Sequence, residues 1–596
     1  MKFQQKFKIL FTRSELNKLI LLFFAILIMA ILEVVGVASI VPFMSVIASP
    51  EIIHNNTYLS NLYNFLQVDS ENEFIIFLGI AIIVLLFLSN ITQAFITWKM
   101  TFFAQNQYHR LQVRMLEQYL AEPYSFYLNK NSSELSKNIL TEVSAVINGV
   151  VLQSLLGLSK IFIVIFIFVL LLLVNPIVAI TTTVILFGSY LIIYSLVRTK
   201  LRTIGIKKTT AVFHTFKSAN ESMAGIKEIK IRNSEKEFVN RFIPPSKELA
   251  EYAAQVSVIA ALPRYLLEVV AFGGIIAIST MLIATKPGSS NEVIPIISLY
   301  AMAGYRLMPA LQQIYGAISN VKYNIPAFNI LVNDFNNLTE KNFNKIKDQK
   351  PCEFNHKLQI RDINFFYKGE KNPVINNLNL DVKKNTTVGL IGPSGVGKTT
   401  LIDIILGLLT PDSGNIIVDG IKINKENIAA WQKNIGYVPQ SIYLTDDSIE
   451  KNIAFSIAEN EIDRAKLVSA AKMANVDTFI NSLPDQYKTL VGERGVRLSG
   501  GQRQRIGIAR ALYHNPTILV FDEATSSLDG ITEDVIMDSI HNLSHKKTII
   551  MIAHRMTTVK ECDVIHMMKD GKIFDSGTYD ELFQKNKDFQ LMAKND

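Results

Sequence analysis

Residues Gly392-Pro393-Ser394-Gly395-Val396-Gly397-Lys398-Thr399 follow the pattern G-x-x-x-x-G-K-[ST]. The chemistry this pattern serves is phosphate binding. Glycines let backbone N–H groups turn toward phosphate oxygens, and a helix beginning directly afterwards adds partial positive charge. Lys398 can reach the β- and γ-phosphates of a nucleotide, and the Thr399 hydroxyl can ligate Mg²⁺. The flanks fit as well, with a strand-like run at 387–391 before the loop and a helical run, opened by Thr400, at 400–408 after it.

Two further groups lie downstream. The apolar run 518–521 ends in Asp522-Glu523. An acid at the end of a buried strand beside a phosphate loop is placed to hold Mg²⁺, and the next acid can orient or deprotonate an attacking water. Between these groups, Leu498-Ser499-Gly500-Gly501-Gln502 precedes a helical run at 503–512 and makes a second anion cradle. One bound nucleotide does not need two cradles on one chain. The pair therefore points to a dimer in which each nucleotide lies between a loop of one subunit and a Ser-Gly-Gly cradle of the other.

The elements that must carry this chemistry fall into two textures. Of 596 residues, 49% are hydrophobic and only 19% charged, which argues against an ordinary soluble enzyme. A bilayer core needs about 20 apolar residues per helix. Six stretches qualify, at 19–47, 74–98, 149–174, 177–197, 256–283 and 293–315, the third and fourth parted only by Asn175-Pro176. The first is too long for a removable signal peptide. From Cys352 onward, short β-branched runs alternate with helical patterns, as in parallel α/β domains, and the Asn- and Lys-rich 333–350 reads as a linker. Cys352 and Cys562 are too few and too far apart in sequence for a disulfide scaffold or a metal site.

Lys and Arg crowd the N-terminal stretch and the connections after the second and fourth spans, whereas 51–73 has none and only Lys286 lies between spans five and six. Positive loops stay cytoplasmic, so both termini face the cytoplasm, and the net charge of +8 is a topology signal before it is a nucleic-acid one. The two inner connections are too long for turns and suggest membrane helices continuing as stalks. On the outer side, Tyr58, Leu59, Leu62, Tyr63, Phe65 and Leu66 recur at helical spacing, a short amphipathic helix or a packed loop.

Charges inside the spans mark interior positions, because each is costly in hydrocarbon. They are Glu33, Lys160, Arg264, Glu268 and Arg306. Arg264 and Glu268 are four apart on a helix and can pair; Arg264 and Lys160 can snorkel toward lipid phosphates. Arg306 is mid-span, with no neighbour in sequence to neutralise it. Doubled in a dimer it makes a positive ring, and guanidinium forks suit phosphate, so Arg306, Arg264 and Glu33 are candidate contacts for an anionic headgroup; structural ion pairing is the alternative.

The phosphate loop, Leu498–Gln502, Asp522-Glu523 and His554 together resemble the ATP-binding cassette (ABC) transporters, over essentially the whole chain. The resemblance implies a multidomain membrane protein, a six-helix α-helical transmembrane domain (1–325), a linker (326–350) and an α/β P-loop ABC ATPase domain (351–596). It implies ATP and Mg²⁺ as cofactors, with residues 392–400 and Gln502 around the nucleotide. Tyr367 resembles the aromatic that stacks on adenine. Gln440, after Tyr437-Val438-Pro439, resembles the Q-loop glutamine near Mg²⁺ and water. Val491–Gly495 resembles the exporter X-loop. Ser499, Gly500 and Gly501 would touch the γ-phosphate held by the other subunit. Asp529, in Ser526-Ser527-Leu528-Asp529, resembles the D-loop aspartate, with serine where many exporters have alanine, and His554 the switch histidine. Residues 123–130 and 224–230 resemble the coupling-helix stretches. No catalytic position is degenerate, which implies a homodimer with two hydrolysing sites, although a heterodimer with a degenerate partner stays open.

Within the family, the stretches Pro263–Glu268 and Tyr305–Pro309 look like the bacterial lipid-linked oligosaccharide flippases. These move an undecaprenyl-pyrophosphate glycan from the cytoplasmic to the outer leaflet for protein N-glycosylation, and have an external helix. The expectations are a multi-pass protein of the bacterial inner membrane with a lipid-linked anionic substrate and no nucleic-acid partner. Export of another lipid, a peptide or a drug is the alternative, the short stretch before span one disfavouring a peptidase-bearing peptide exporter. A channel gated by ATP ranks behind both.

Overall fold

The computed structural model describes residues 3–67, 70–174, 176–285, 290–338, 350–523, 537–538, 540–553 and 555–594. Asp529, Ser526–Leu528, His554, Asn175 and Lys286 lie outside the described residues. The chain divides into two compact units, Met1–Glu122 with Asn129–Lys341, and Asn342–Asp596 with the short segment Pro123–Leu128.

The N-terminal unit is helical. Among the described residues, Arg13–Ala48, Glu71–Ala121 and Ser132–Val174 are long and apolar enough to cross a membrane. The stretches expected at 177–197, 256–283 and 293–315 fall within the helices Pro176–Ala224, Glu235–Thr285 and Ser290–Asn337. At 48 to 51 residues, Glu71–Ala121, Glu235–Thr285 and Ser290–Asn337 far exceed the ~20 that span a bilayer and continue into polar sequence. The first apolar stretch is two helices, Arg13–Ala38 and Ile40–Ala48, meeting at Ser39. The helix Ser290–Asn337 runs through 326–337, part of the linker expected at 326–350, whose Asn- and Lys-rich portion begins at 333. Ala327, Phe328, Leu331, Val332 and Phe335 are buried there, so an apolar face keeps helical a stretch whose Asn content suggested otherwise.

The segment expected on the outer side is a helix, Thr57–Leu66, capped by the Asn56 side chain, which accepts from the Tyr58 N–H at 3.0 Å. Leu59, Tyr63 and Leu66 pack on Val46, Ile53 and Phe74, while Tyr58 and Phe65 are 87% and 81% exposed. The stretches 123–130 and 224–230 carry short helices, Tyr124–Tyr127 and Ile226–Arg232.

Several polar groups buried in this unit pair with one another. The Tyr119 hydroxyl donates to Asp334 Oδ2 at 2.6 Å, and the Asn138 amide donates to both, at 3.1 and 3.0 Å. Lys137 and Glu142, both buried, pair at 3.2 Å beside a π-helical turn, Asn138–Glu142. Burial pushes the Asp334 carboxyl up.

The C-terminal unit contains two sheets. Strands β1 (Lys357–Phe365), β2 (Ile375–Lys383), β4 (Ser413–Val418) and β5 (Ile421–Lys422) form an antiparallel sheet in the order β2-β1-β4-β5. Strands β3 (Thr387–Ile391), β6 (Ile435–Val438), β7 (Ile518–Asp522), β8 (Thr548–Ile552), β9 (Val564–Lys569) and β10 (Lys572–Gly577) form the second, ordered β10-β9-β3-β8-β7-β6. In it β9, β3, β8, β7 and β6 run parallel. Every residue of β3, β7 and β8 is buried, which explains their largely apolar sequences. Parallel alignment brings the carboxyl ends of β3, β6 and β7 to one edge, where open α/β sheets bind ligands. The antiparallel sheet was not legible as a whole, because its strands alternate polar and buried residues and β1 and β2 are joined by a long connection; the Asp419-Gly420 turn between β4 and β5 was a signal left unread.

His566 on β9 gives this unit a pH signature. Its Nδ1 lies 2.7 Å from the Ser576 hydroxyl, and its Nε2 is buried without a partner among the described residues. Burial pulls its pKa from 6.5 down to about 4. The unfolded chain therefore takes up the proton first, and stability falls as pH drops from 6.5 toward 4, by on the order of 3 kcal/mol in full. We expect His566→Gln to flatten this acid loss in melting midpoints compared at pH 7 and pH 5. An equal loss in the variant would assign the effect to other groups.

Candidate nucleotide site

The loop after β3 is built by glycines in conformations other residues avoid: φ is +149° at Gly392, +80° at Gly395 and +101° at Gly397. A Cβ on Gly392 would lie 2.4 Å from the Met568 carbonyl oxygen of the neighbouring β9. Gly397 precedes the helix Lys398–Ile405, so the loop delivers the chain directly into a helix N-terminus. Lys398 is buried, and its ammonium donates to the Gly392 and Pro393 carbonyls at 2.7 and 3.0 Å. Burial lowers its pKa against the opposing pull of Glu523 and Asp522, so both acids lie near the ammonium. Thr399 is exposed and Thr400 buried; the Thr400 hydroxyl is 3.0 Å from that of Tyr367, just past β1.

Asp522, 7% exposed, ends β7 at the same edge. Glu523 follows in a left-handed conformation, φ +50°, its N–H donating to the Ile552 carbonyl at 3.2 Å. That turn is uncommon for a residue with a side chain. The Gln440 amide, beyond β6, donates to Glu523 Oε2 at 2.6 Å. Residues from three parallel strands thus meet: the loop after β3, Gln440 after β6 and the Asp522-Glu523 pair ending β7.

Ser499 caps the helix Gly500–Leu512: its hydroxyl accepts from the Gln502 N–H at 3.2 Å while Gln502 Oε1 accepts from the Ser499 N–H at 2.9 Å. Ser499 and Gly500 are exposed, so this positive helix end opens to solvent. Arg494, in the stretch 491–495, sits at φ +53°.

Three residues were not assigned to this site from the sequence. Asp403, one turn beyond Thr399 on the loop's own helix, is pushed up to about 6 by burial and then by the charge of Asp522. Its i+4 spacing from Thr399 was the available signal. The Tyr437 hydroxyl lies 3.5 Å from Asp522 Oδ2, and Tyr124 in Pro123–Leu128 is within electrostatic reach of Asp403, Tyr367 and Tyr437. No spacing rule links those segments.

In the N-terminal unit, Arg306 is not the lone cation its sequence surroundings suggested. Its guanidinium pairs with Glu33 Oε1 at 3.2 Å, from a helix 273 positions away. Arg264 pairs with Glu268 at 2.8 Å, as their spacing allowed. Lys160 is electrostatically coupled to Glu33 and Arg306.

Comparison with known proteins agrees with this architecture. The family profile "ABC transporter transmembrane region" matches residues 16–304 and "ABC transporter" matches residues 375–526. An ATP-dependent lipid A-core flippase of Saccharophagus degradans is 30% identical over 86% of this chain and 85% of its own. A leukotoxin export ATP-binding protein of Aggregatibacter actinomycetemcomitans is 40% identical over 39% of this chain and 33% of its own. The fold matches that of a bacterial Atm1-family ABC exporter with ATP bound, with a TM-score of 0.76 at 20% identity, covering 94% of this chain and 97% of that one. The chain belongs to the ABC transporter family. Its membrane domain followed by one nucleotide-binding domain is the exporter half-transporter arrangement, and it is an ATPase-coupled transporter.

Proposed function

We propose that the chain, as a homodimer in a bacterial inner membrane with both termini cytoplasmic, uses ATP hydrolysis to flip an undecaprenyl-pyrophosphate-linked oligosaccharide to the outer leaflet for protein N-glycosylation. Six spans in 1–325 form the passage, and 351–596 the motor. The observation that supports the anionic cargo is the charge cluster on apolar helices, in which Arg306 and Lys160 outnumber Glu33. A lipid cargo is supported by the relative named as a lipid A-core flippase, whose match spans both domains, whereas the toxin-exporter match covers 39% of this chain.

In this reading the Tyr367 ring stacks on adenine. Residues 392–400 cradle the phosphates, with Lys398 swinging from its loop carbonyls to the β- and γ-oxygens. Ser499, Gly500, Gly501 and Gln502 complete the site of the other subunit, together with Asp529 and His554. The donor set fits Mg²⁺: a buried carboxylate (Asp522), a hydroxyl (Thr399) and the Gln440 side-chain oxygen, whose amide nitrogen is the atom engaged by Glu523. Bound there, Mg²⁺ neutralises phosphate charge. Glu523, held by Gln440, aligns and deprotonates the attacking water. Closure of the two motor domains then reaches the membrane helices through 123–130 and 224–230.

The test is reconstitution in liposomes with a fluorescent lipid-linked oligosaccharide, ATP and Mg²⁺. We expect ATP-dependent movement by the intact chain and none by Glu523→Gln. Movement of lipid A or a peptide, with the pyrophosphate-linked glycan left in place, overturns the cargo assignment.

A further inference from the structure

Three buried or half-buried charges converge near the middle of three apolar stretches: Glu33 on Arg13–Ala38, Lys160 on Leu152–Val174 and Arg306 on Ser290–Asn337. Glu33 is 4% exposed, and the Glu33 and Arg306 side chains keep 4% and 17% of their surface. Their ion pair is half made. A guanidinium and a carboxylate can meet through two parallel hydrogen bonds, yet one contact forms here, at 3.2 Å. Glu33 Oε2 and Arg306 Nε are both buried without a hydrogen-bond partner among the described residues. Leaving such atoms unsatisfied in a low-dielectric site is costly, and a pair serving only stability is expected to close them.

Lys160 adds a second cation within electrostatic reach of both. One carboxylate then serves two cations, so each chain holds one excess positive charge within this apolar cluster. An intramembrane charge imbalance marks a site whose partner arrives from outside the chain.

We propose that Glu33 is a tethered stand-in for an anionic lipid headgroup: a phosphate- or pyrophosphate-bearing amphiphile displaces it from Arg306, and Lys160 receives the released carboxylate. The exchange rests on the anionic-cargo reading above and adds Glu33 and Lys160 as the residues that set its affinity. The planar guanidinium fork closes on two phosphate oxygens as it does not on Glu33, and satisfies the idle Arg306 Nε. Glu33 keeps a cationic partner throughout. In a homodimer the two excess positive charges match a diphosphate diester, which carries two negative charges.

The experiment measures binding and ATPase stimulation by farnesyl pyrophosphate on the full chain in nanodiscs, with farnesol and inorganic pyrophosphate as controls. Removing the internal competitor with Glu33→Gln is expected to lower the half-saturating concentration about tenfold. Lys160→Met raises it several-fold, and Arg306→Ala combined with Glu33→Gln abolishes the response. If Glu33→Gln does not fold, as judged by its melting midpoint, Glu33→Asp decides, with a several-fold tightening expected from a shortened tether. Unchanged or weaker binding in a folded Glu33 variant overturns the exchange. Inorganic pyrophosphate acting as strongly as the isoprenoid ester overturns the lipid assignment. The two readings separate cleanly: tightening without flipping of the glycan lipid sinks the glycan cargo and leaves the exchange standing, and flipping without tightening does the reverse.

Discussion

Glu523→Gln lowers ATP turnover of the reconstituted chain by about a hundred- to ten-thousandfold, the range spanned by a lost general base, while nucleotide affinity stays within a few-fold. The geometry argues for both halves of this result. Glu523 follows β7 in a left-handed turn beside buried Asp522, and its carboxylate accepts from Gln440 at 2.6 Å, so two remote segments fix one side chain. The amide is nearly isosteric and keeps the turn and packing, but it cannot take a proton. Phosphate binding is assigned to other groups, the loop N–H groups and Lys398, so affinity is spared. Hydrolysis by purified protein in liposomes and binding of a fluorescent ATP analogue test the two parts. Turnover above a tenth of the parent's would remove Glu523 from the role of base and turn attention to His554.

Gly392→Ala is expected to weaken nucleotide binding by a different route. At φ +149° the backbone occupies a region open essentially to glycine, and a methyl group there would sit 2.4 Å from the Met568 carbonyl oxygen. That oxygen cannot retreat, because β9 is paired along β3, with Ile391 opposite Met567. Overpacking and strain of this kind cost about 3 kcal/mol. The loop must open by a fraction of an ångström, and we expect apparent ATP affinity to fall about a hundredfold, or about 2.7 kcal/mol. Gly395→Ala is the internal control: φ is +80° there, and nothing lies within 4 Å of the added atom. Its melting midpoint should fall clearly less than that of Gly392→Ala. Equal losses in the two variants would show that backbone conformation alone, without the contact to β9, sets the cost.

The motor domain was legible because its signals are local. The loop, its strand and its helix occupy consecutive residues, and the strand expected at 387–391 is β3, Thr387–Ile391. The apolar stretches were legible for the same reason, since a helix crossing hydrocarbon must be apolar along its length. The first stretch still broke at Ser39, and the helix Ser290–Asn337 outran the boundary drawn from composition. Hydropathy registers membrane-length apolarity, whereas helix ends depend on capping and on what covers the apolar face.

By itself, then, the order of residues determined which groups are present and which backbone they ride on: a phosphate loop entering a helix, acids ending a strand, a serine-capped cradle and charges set within apolar spans. Tertiary structure alone decided which of them meet. Glu33 against Arg306 and Gln440 against Glu523 are contacts between segments far apart along the chain, and Asp403 comes within electrostatic reach of Asp522 with no shared motif to announce it. Local spacing follows from the fixed rise and period of helix and strand, which sequence displays directly. Encounters between remote segments follow from how whole faces pack, and each such encounter here changed what a charge could do: the cation of Arg306 became half of an ion pair, and a strand-end acid became a side chain held in place.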